Sequence, residues 1–204
     1  MIRLDGHGVS IDDVVQVARH AARIELTPDA IVRMTAARDV VDRLAEGEPR
    51  YGISTGFGAL ATVSIPPDRR RALQLALIRS HAAGMGEPVE TEVVRAMVFL
   101  RARTLAMGHS GARPLVARAM IDLVNADITP IVPEYGSLGA SGDLAPLAHG
   151  ALALLGEGDV HHGGRVRPAA EALREAGLEP IELAEKEGLA VTNGTDAILG
   201  MLCL

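Results

Sequence analysis

Aromatic side chains are nearly absent from this chain. Tyr51, Phe57, Phe99 and Tyr135 are the only four among 204 residues, and there is no tryptophan. The core must therefore be filled by Leu, Val, Ile, Ala and Met, a mixture that suits helices packed on helices. The periodicity agrees. Ser10 opens a helix to about Arg23, with Asp13 in the capping-box position and Ile11, Val14, Val15 and Ala18 along one face. Thr27-Pro28-Asp29 starts a second helix, with Thr27 as cap and Pro28 at the first helical position, and it stops near Gly47. Further helical patterns run from Asp68 to His81, from Thr91 to Met107 and from Pro114 to Asn125.

Between these runs lie segments that are not helical. Tyr51 to Gly58 reads Y-G-I-S-T-G-F-G, and its three glycines make it a loop of unusual backbone angles. It lacks the Gly-Lys-Ser/Thr and the G-x-G-x-x-G spacing of phosphate-binding loops. Pro130 and Pro133 hold I-T-P-I-V-P extended. D-V-H-H-G-G-R-V-R reads as a hairpin turning at Gly163-Gly164, followed by a short helix from Ala169 to Ala176. His161 and His162 are adjacent on a strand and point to opposite faces. No other ligand is spaced to help them, so no metal site is expected.

The densest chemistry lies in Gly136 to Leu147, G-S-L-G-A-S-G-D-L-A-P-L. Asp143 is expected to be the N-cap of a helix to about Leu155, with Pro146 in its first turn. Ala140-Ser141-Gly142 would then be a tight loop delivered onto the positive end of that helix. A glycine amide has no Cβ to hinder it. In a tight enough bend the Gly142 nitrogen can attack the Ala140 carbonyl. Loss of water closes a five-membered ring, and loss of the Ser141 hydroxyl leaves an exocyclic methylene. Taken alone, A-S-G before a helix is also an ordinary small-residue turn.

The twelve-residue context closely resembles the signature of the histidine and aromatic amino-acid ammonia-lyases. Three further motifs appear in that family's order, so the resemblance extends from Ser10 to the end. The resemblance implies a 4-methylidene-imidazol-5-one group made from Ala140, Ser141 and Gly142, with no external cofactor. Tyr51-Gly58 resembles the family's tyrosine loop, which implies that Tyr51 is the acid/base; Ser54 stands where many members have asparagine. S-H-A-A-G, at His81 to Gly84 and the serine before it, resembles the histidine-specific branch. There His81 would face the substrate imidazole, although a histidine at a helix C-terminus also suits the dipole. Asn193, in E-K-E-G-L-A-V-T-N-G-T-D-A, would hold the amine and carboxylate region; Asn193-Gly194 is also a turn before the last helix. Leu138 is expected to wall the substrate pocket, with plain packing as its alternative.

The implied activity is elimination of ammonia from L-histidine to give trans-urocanate. The alternatives are a tyrosine or phenylalanine lyase or aminomutase, or an inactive helical scaffold. A serine hydrolase fits poorly, because G-A-S-G-D is not the G-x-S-x-G elbow and no Asp-His pair accompanies Ser141. The implied fold is mainly α, similar to the helical N-terminal domain of the fumarase/aspartase-like lyases, with short β-hairpin elements. The family is homotetrameric, built on C-terminal helical bundles. This chain stops in the uncapped apolar stretch A-I-L-G-M-L-C-L, so residues 1–204 are expected to be the N-terminal domain of a longer protein, without its bundle.

A net charge of -6 argues against a nucleic-acid footprint, and Arg69-Arg70-Arg71 reads as a solvated helix face. A single cysteine, Cys203, excludes an intrachain disulfide and suits a reducing compartment. No run approaches the ~20 apolar residues of a membrane span, and the first residues lack a signal peptide's apolar core. The cytoplasm and a small amino-acid substrate are the expected setting.

Overall fold

The computed structural model describes residues 1–204. Strand β1 (Ile2–Leu4) leads into helix α1 (Ile11–His20). Its capping box is complete: the Ser10 hydroxyl accepts from the Asp13 N–H at 3.1 Å, and the Asp13 carboxylate accepts from the Ser10 N–H at 2.9 Å. The helix ends at His20 rather than near Arg23, because Ala21 turns into the left-handed region at φ 51°. The residues released form β2 (Ile24–Leu26), which pairs in parallel with β1. Helix α2 (Pro28–Ala45) begins at the Thr27 cap, whose hydroxyl accepts from the Ala30 N–H at 3.3 Å.

After the tyrosine loop and a single 3₁₀ turn at Gly58–Leu60 come α3 (Pro67–His81), β3 (Met85–Pro88) and α4 (Thr91–Ala106). Helix α4 is the axis of the fold. It is buried on every side, Phe99 fully so, and packs against α1, α5 (Pro114–Asn125) and the last helix, α9 (Asp196–Cys203). A helix with apolar residues on every face has to be enclosed in this way. Its arginines behave differently from one another. Arg95 is buried, but its guanidinium meets the exposed Asp127 at 2.6 Å. Arg101 has no such outlet.

Strands β4 (Thr129–Pro130) and β5 (Pro133–Tyr135) come from the proline-held segment. β5 pairs antiparallel with β3, and β4 with β6 (Asp159–His162). The predicted hairpin joins β6 to β7 (Arg165–Pro168), with Gly163 and Gly164 at φ 60° and 74° in the turn. Such a pair of positive φ angles suits a two-residue hairpin and explains the two glycines. Helix α6 (Leu144–Leu154) follows the signature loop, α7 (Ala169–Glu175) follows the hairpin, and the short α8 (Glu187–Thr192) precedes α9. The architecture is mainly α with short strands, as the sequence implies. No helix is long and apolar enough to cross a membrane.

Candidate active site

Ala140, Ser141 and Gly142 form successive bends directly before α6, with Ala140 exposed and the other two half-buried. Gly139 and Gly142 have φ of 86° and 90°, which L side chains rarely adopt. A Cβ at Gly142 would also stand 2.8 Å from Ile198 Cδ1, so a side chain there would have to displace that methyl as well as strain the backbone.

Asp143 corrects the sequence reading. It occupies the N-cap position of α6, but its side chain makes no capping bond to that helix. It caps α9 instead. Its Oδ2 accepts from the Ala197 and Ile198 N–H groups at 2.8 and 3.0 Å, and its Oδ1 accepts from the Ser137 hydroxyl at 3.0 Å. Its own N–H donates to the Gly194 carbonyl at 3.3 Å. The carboxylate is wholly buried, and the positive end of α9 together with the Ser137 hydroxyl satisfies it. The start of α6 is left without a side-chain cap, immediately after the bend.

Through Asp143 the triplet is joined to the turn that bears Asn193. Asn193 is the residue at which α8 ends, and its side chain is exposed. The far end of α8 is anchored by Glu187, which is 0% exposed. Glu187 accepts from the Ala184 and Arg113 N–H groups and, on both oxygens, from the Arg113 guanidinium. Its carboxylate holds the Arg113 guanidinium above the ordinary arginine value. Gln74 on α3 accepts from the Gly188 N–H at 2.9 Å. The tyrosine loop leans on the same short helix, since a Cβ at Gly52 would collide with Leu189. Tyr51 itself is 57% exposed. Its ring packs edge-on to Phe57, with centroids 6.2 Å apart, and its hydroxyl accepts a long bond from the Gly58 N–H.

His81 and Leu138 share a groove of about 530 Å³ with Met85, Tyr135, Leu144 and Ala145. Leu138 lines this groove with its side chain well exposed. Neither Tyr51, Ser141 nor Asn193 lines that groove. The chain thus joins the triplet to Asn193, sets His81 and Leu138 beside the start of α6, and keeps Tyr51 on a separate loop. His161 and His162 stand on the hairpin, and neither lines that groove.

Comparison with known proteins decides the family. The sequence matches that of the aromatic amino acid lyases over residues 9–204. The chain belongs to the aromatic amino acid lyase family. It is 59% identical over 199 residues to the histidine ammonia-lyase of Streptomyces avermitilis, covering 97% of this chain and 39% of that protein. The histidine ammonia-lyase of Trypanosoma cruzi superposes with a TM-score of 0.89 at 41% identity, covering 99% of this chain and 39% of the other. A tyrosine aminomutase of Streptomyces globisporus gives 0.91 at 37% identity, covering 99% and 38%. This member of the family therefore spans about two fifths of the length of the curated relatives it matches.

The candidate site also includes residues that sequence reasoning passed over. Arg101, in the enclosed helix α4, and Asp196, three residues after Asn193, form a buried pair behind the turn. Arginine in a mostly apolar helical run was the available signal, and Arg95 shares it. His149, on α6, accepts from the Gly84 N–H through Nε2 at 3.0 Å and so holds the loop that follows His81. Burial lowers its pKa below the ordinary 6.5. The unfolded chain then binds the proton more tightly than the folded one. The His149 contribution to stability is complete above about pH 6.5 and is lost as pH falls through the lower folded value. Thermal unfolding of the wild type and of His149→Gln across this range is expected to differ most above pH 6.5 and to converge below it. A difference that does not vary with pH would contradict the tether.

Proposed function

We propose that this chain is the electrophile-bearing part of a histidine ammonia-lyase, an enzyme that removes ammonia from L-histidine to leave trans-urocanate. One observation carries the reading. Buried Asp143 ties the Ala140-Ser141-Gly142 bend to the turn presenting Asn193, through its N–H on the Gly194 carbonyl and its carboxylate on the start of α9, in a chain 59% identical to a named histidine ammonia-lyase. The prosthetic group would be 4-methylidene-imidazol-5-one, made from those three residues without an external cofactor. The bend suits it: Gly142 has the positive φ and tight surroundings that disfavour a side chain, and its neighbours carry only a methyl and a hydroxymethyl. Once formed, the group supplies an electrophile that no encoded side chain offers.

The remaining roles fall to groups of this chain. The Tyr51 phenolic oxygen, which has to be deprotonated to act as a base, takes the weakly acidic β-proton and becomes the hydroxyl. The Asn193 amide, free of partners in its own chain, offers a donor and an acceptor to the amine and carboxylate region. His81 Nδ1 lies 2.9 Å from the Leu77 carbonyl and 3.1 Å from the Ser80 hydroxyl; donation to the carbonyl, which only accepts, would place the proton on Nδ1. Nε2 is then a lone-pair acceptor for the N–H of a substrate imidazole. Leu138 gives the pocket an apolar wall.

Residues 1–204 would form the N-terminal catalytic domain of a longer, cytoplasmic enzyme that assembles as a homotetramer through a C-terminal helical bundle. The relatives' greater length supports this. A second reading, a tyrosine or phenylalanine lyase or aminomutase, has the likeness to the tyrosine aminomutase in its favour.

A substrate panel separates them. Histidine is expected to yield urocanate, and His81→Leu to lower kcat/KM for histidine at least about tenfold more than for tyrosine or phenylalanine. Equal losses on all three would remove the substrate assignment. Cinnamate-type products in preference to urocanate would move the enzyme to the second reading. Histidine left unchanged by a protein carrying the modification would identify a non-catalytic scaffold.

A further inference from the structure

We propose that Arg101, braced by Asp196, is the positioning residue that aims Asn193 at the substrate; the inference rests on the lyase reading above. The Asn193 side chain has no hydrogen-bond partner in the chain, so its direction is set by its backbone. That backbone is held from the core by one guanidinium. Arg101 Nη1 donates to the Ala190 and Asn193 carbonyls at 3.2 and 3.1 Å, two acceptors at the end of α8. Arg101 Nη2 binds the Asp196 carboxylate in the first turn of α9, and Asp196 Oδ1 lies 3.5 Å from the Thr104 hydroxyl on α4. A single planar group therefore bridges the two helices that flank the Asn193–Thr195 turn. Gly194 passes so close that a Cβ there would fall on the guanidinium itself.

Stability alone does not account for this pair. The two side chains are 5% and 4% exposed, and Arg101 Nε is buried without a partner. A buried ion pair is often no better for stability than apolar residues of the same volume. Arg95, two turns earlier on the same helix, meets an exposed acid, whereas Arg101 meets a buried one. What the enclosed pair supplies is direction, through fixed donors on defined carbonyls. From the opposite side, the Asp143 N–H holds the Gly194 carbonyl and its carboxylate holds the start of α9. The turn is thus gripped between the core arginine and the residue that follows the triplet. Moving the arginine would change the position of Asn193 relative to Ser141.

The test is a double-mutant cycle of Arg101→Lys with Asn193→Ala, with hydrogen exchange of the amides from Gly194 to Ile198 measured in parallel. Lysine keeps the charge but cannot bridge three acceptors in a plane. Arg101→Lys is expected to lower kcat/KM for histidine by about 10²-fold, the scale of a misplacement near 1 Å. The double variant should be no worse than Asn193→Ala alone. Exchange should quicken in the turn and not in α4 or α5. Losses that multiply in the double variant, or an unchanged kcat/KM for Arg101→Lys, would overturn the proposal. If Arg101→Lys fails to fold, Asp196→Asn, which keeps the shape and leaves Arg101 in place, should follow the same pattern at smaller amplitude; a multiplicative loss there would overturn it equally. If the wild-type protein releases no ammonia from histidine, the lyase reading fails. The exchange arm then still decides whether Arg101 holds the turn, and unchanged exchange would overturn that too.

Discussion

Replacing Ser141 by alanine is expected to abolish turnover of histidine while leaving the fold in place. Ser141 has no side-chain hydrogen bond in the chain and is only half-buried, so little structure depends on its hydroxyl. Chemically, that hydroxyl is the leaving group whose departure creates the exocyclic methylene, and alanine has nothing to lose. The amine of the substrate would then depart without electrophilic assistance. We expect kcat in Ser141→Ala to fall by at least about 10³-fold, measured as urocanate formation, with an unchanged melting temperature. Turnover within tenfold of the wild type would show that the triplet is an ordinary bend.

Tyr51→Phe is expected to be the second largest loss, and it separates chemistry from folding equally well. The side chain is mostly exposed, and its hydroxyl makes one long bond, from the Gly58 N–H at 3.5 Å. Removing that oxygen leaves the edge-on packing with Phe57 and the contact of Gly52 with Leu189 untouched. The melting temperature should therefore stay within experimental error of the wild type. A positioned general base contributes about 10²–10⁴ in rate, so kcat should fall by that factor with the modification still present. Near-normal turnover would remove Tyr51 as the base. A kcat loss matched by a lowered melting temperature would point to a structural role for the hydroxyl.

The sequence disclosed those parts of the fold that are written locally. The Ser10-Asp13 capping box, the Thr27-Pro28 helix start and the Gly163-Gly164 turn each depend on residues a few positions apart, and each appears as read. The β1–β2 pair was not legible, because two three-residue strands acquire meaning only from each other and from the left-handed Ala21 between α1 and β2. Asp143 illustrates the same limit at the site. Its position before an apolar run spells an N-cap, and it is one, but for a helix more than fifty residues further along. Competition between two helix starts for one carboxylate cannot be settled from local spacing. The triplet, the tyrosine loop, His81, Leu138 and Asn193 were nameable from motifs, and their roles remain proposals. The groups that set the geometry of these elements, Arg101, Asp196, Glu187 and His149, were not. They stand far apart in sequence, and each acts through backbone groups that any residue would present.

The central claim is that Ala140, Ser141 and Gly142 condense on themselves, and mass measurement of the purified chain tests it most directly. The account predicts an intact mass about 36 Da, two waters, below that of the unmodified sequence. The deficit should map to the peptide containing Gly136 to Leu147 and be absent from Ser141→Ala. A wild-type chain at its full sequence mass, with that peptide unaltered, would contradict it.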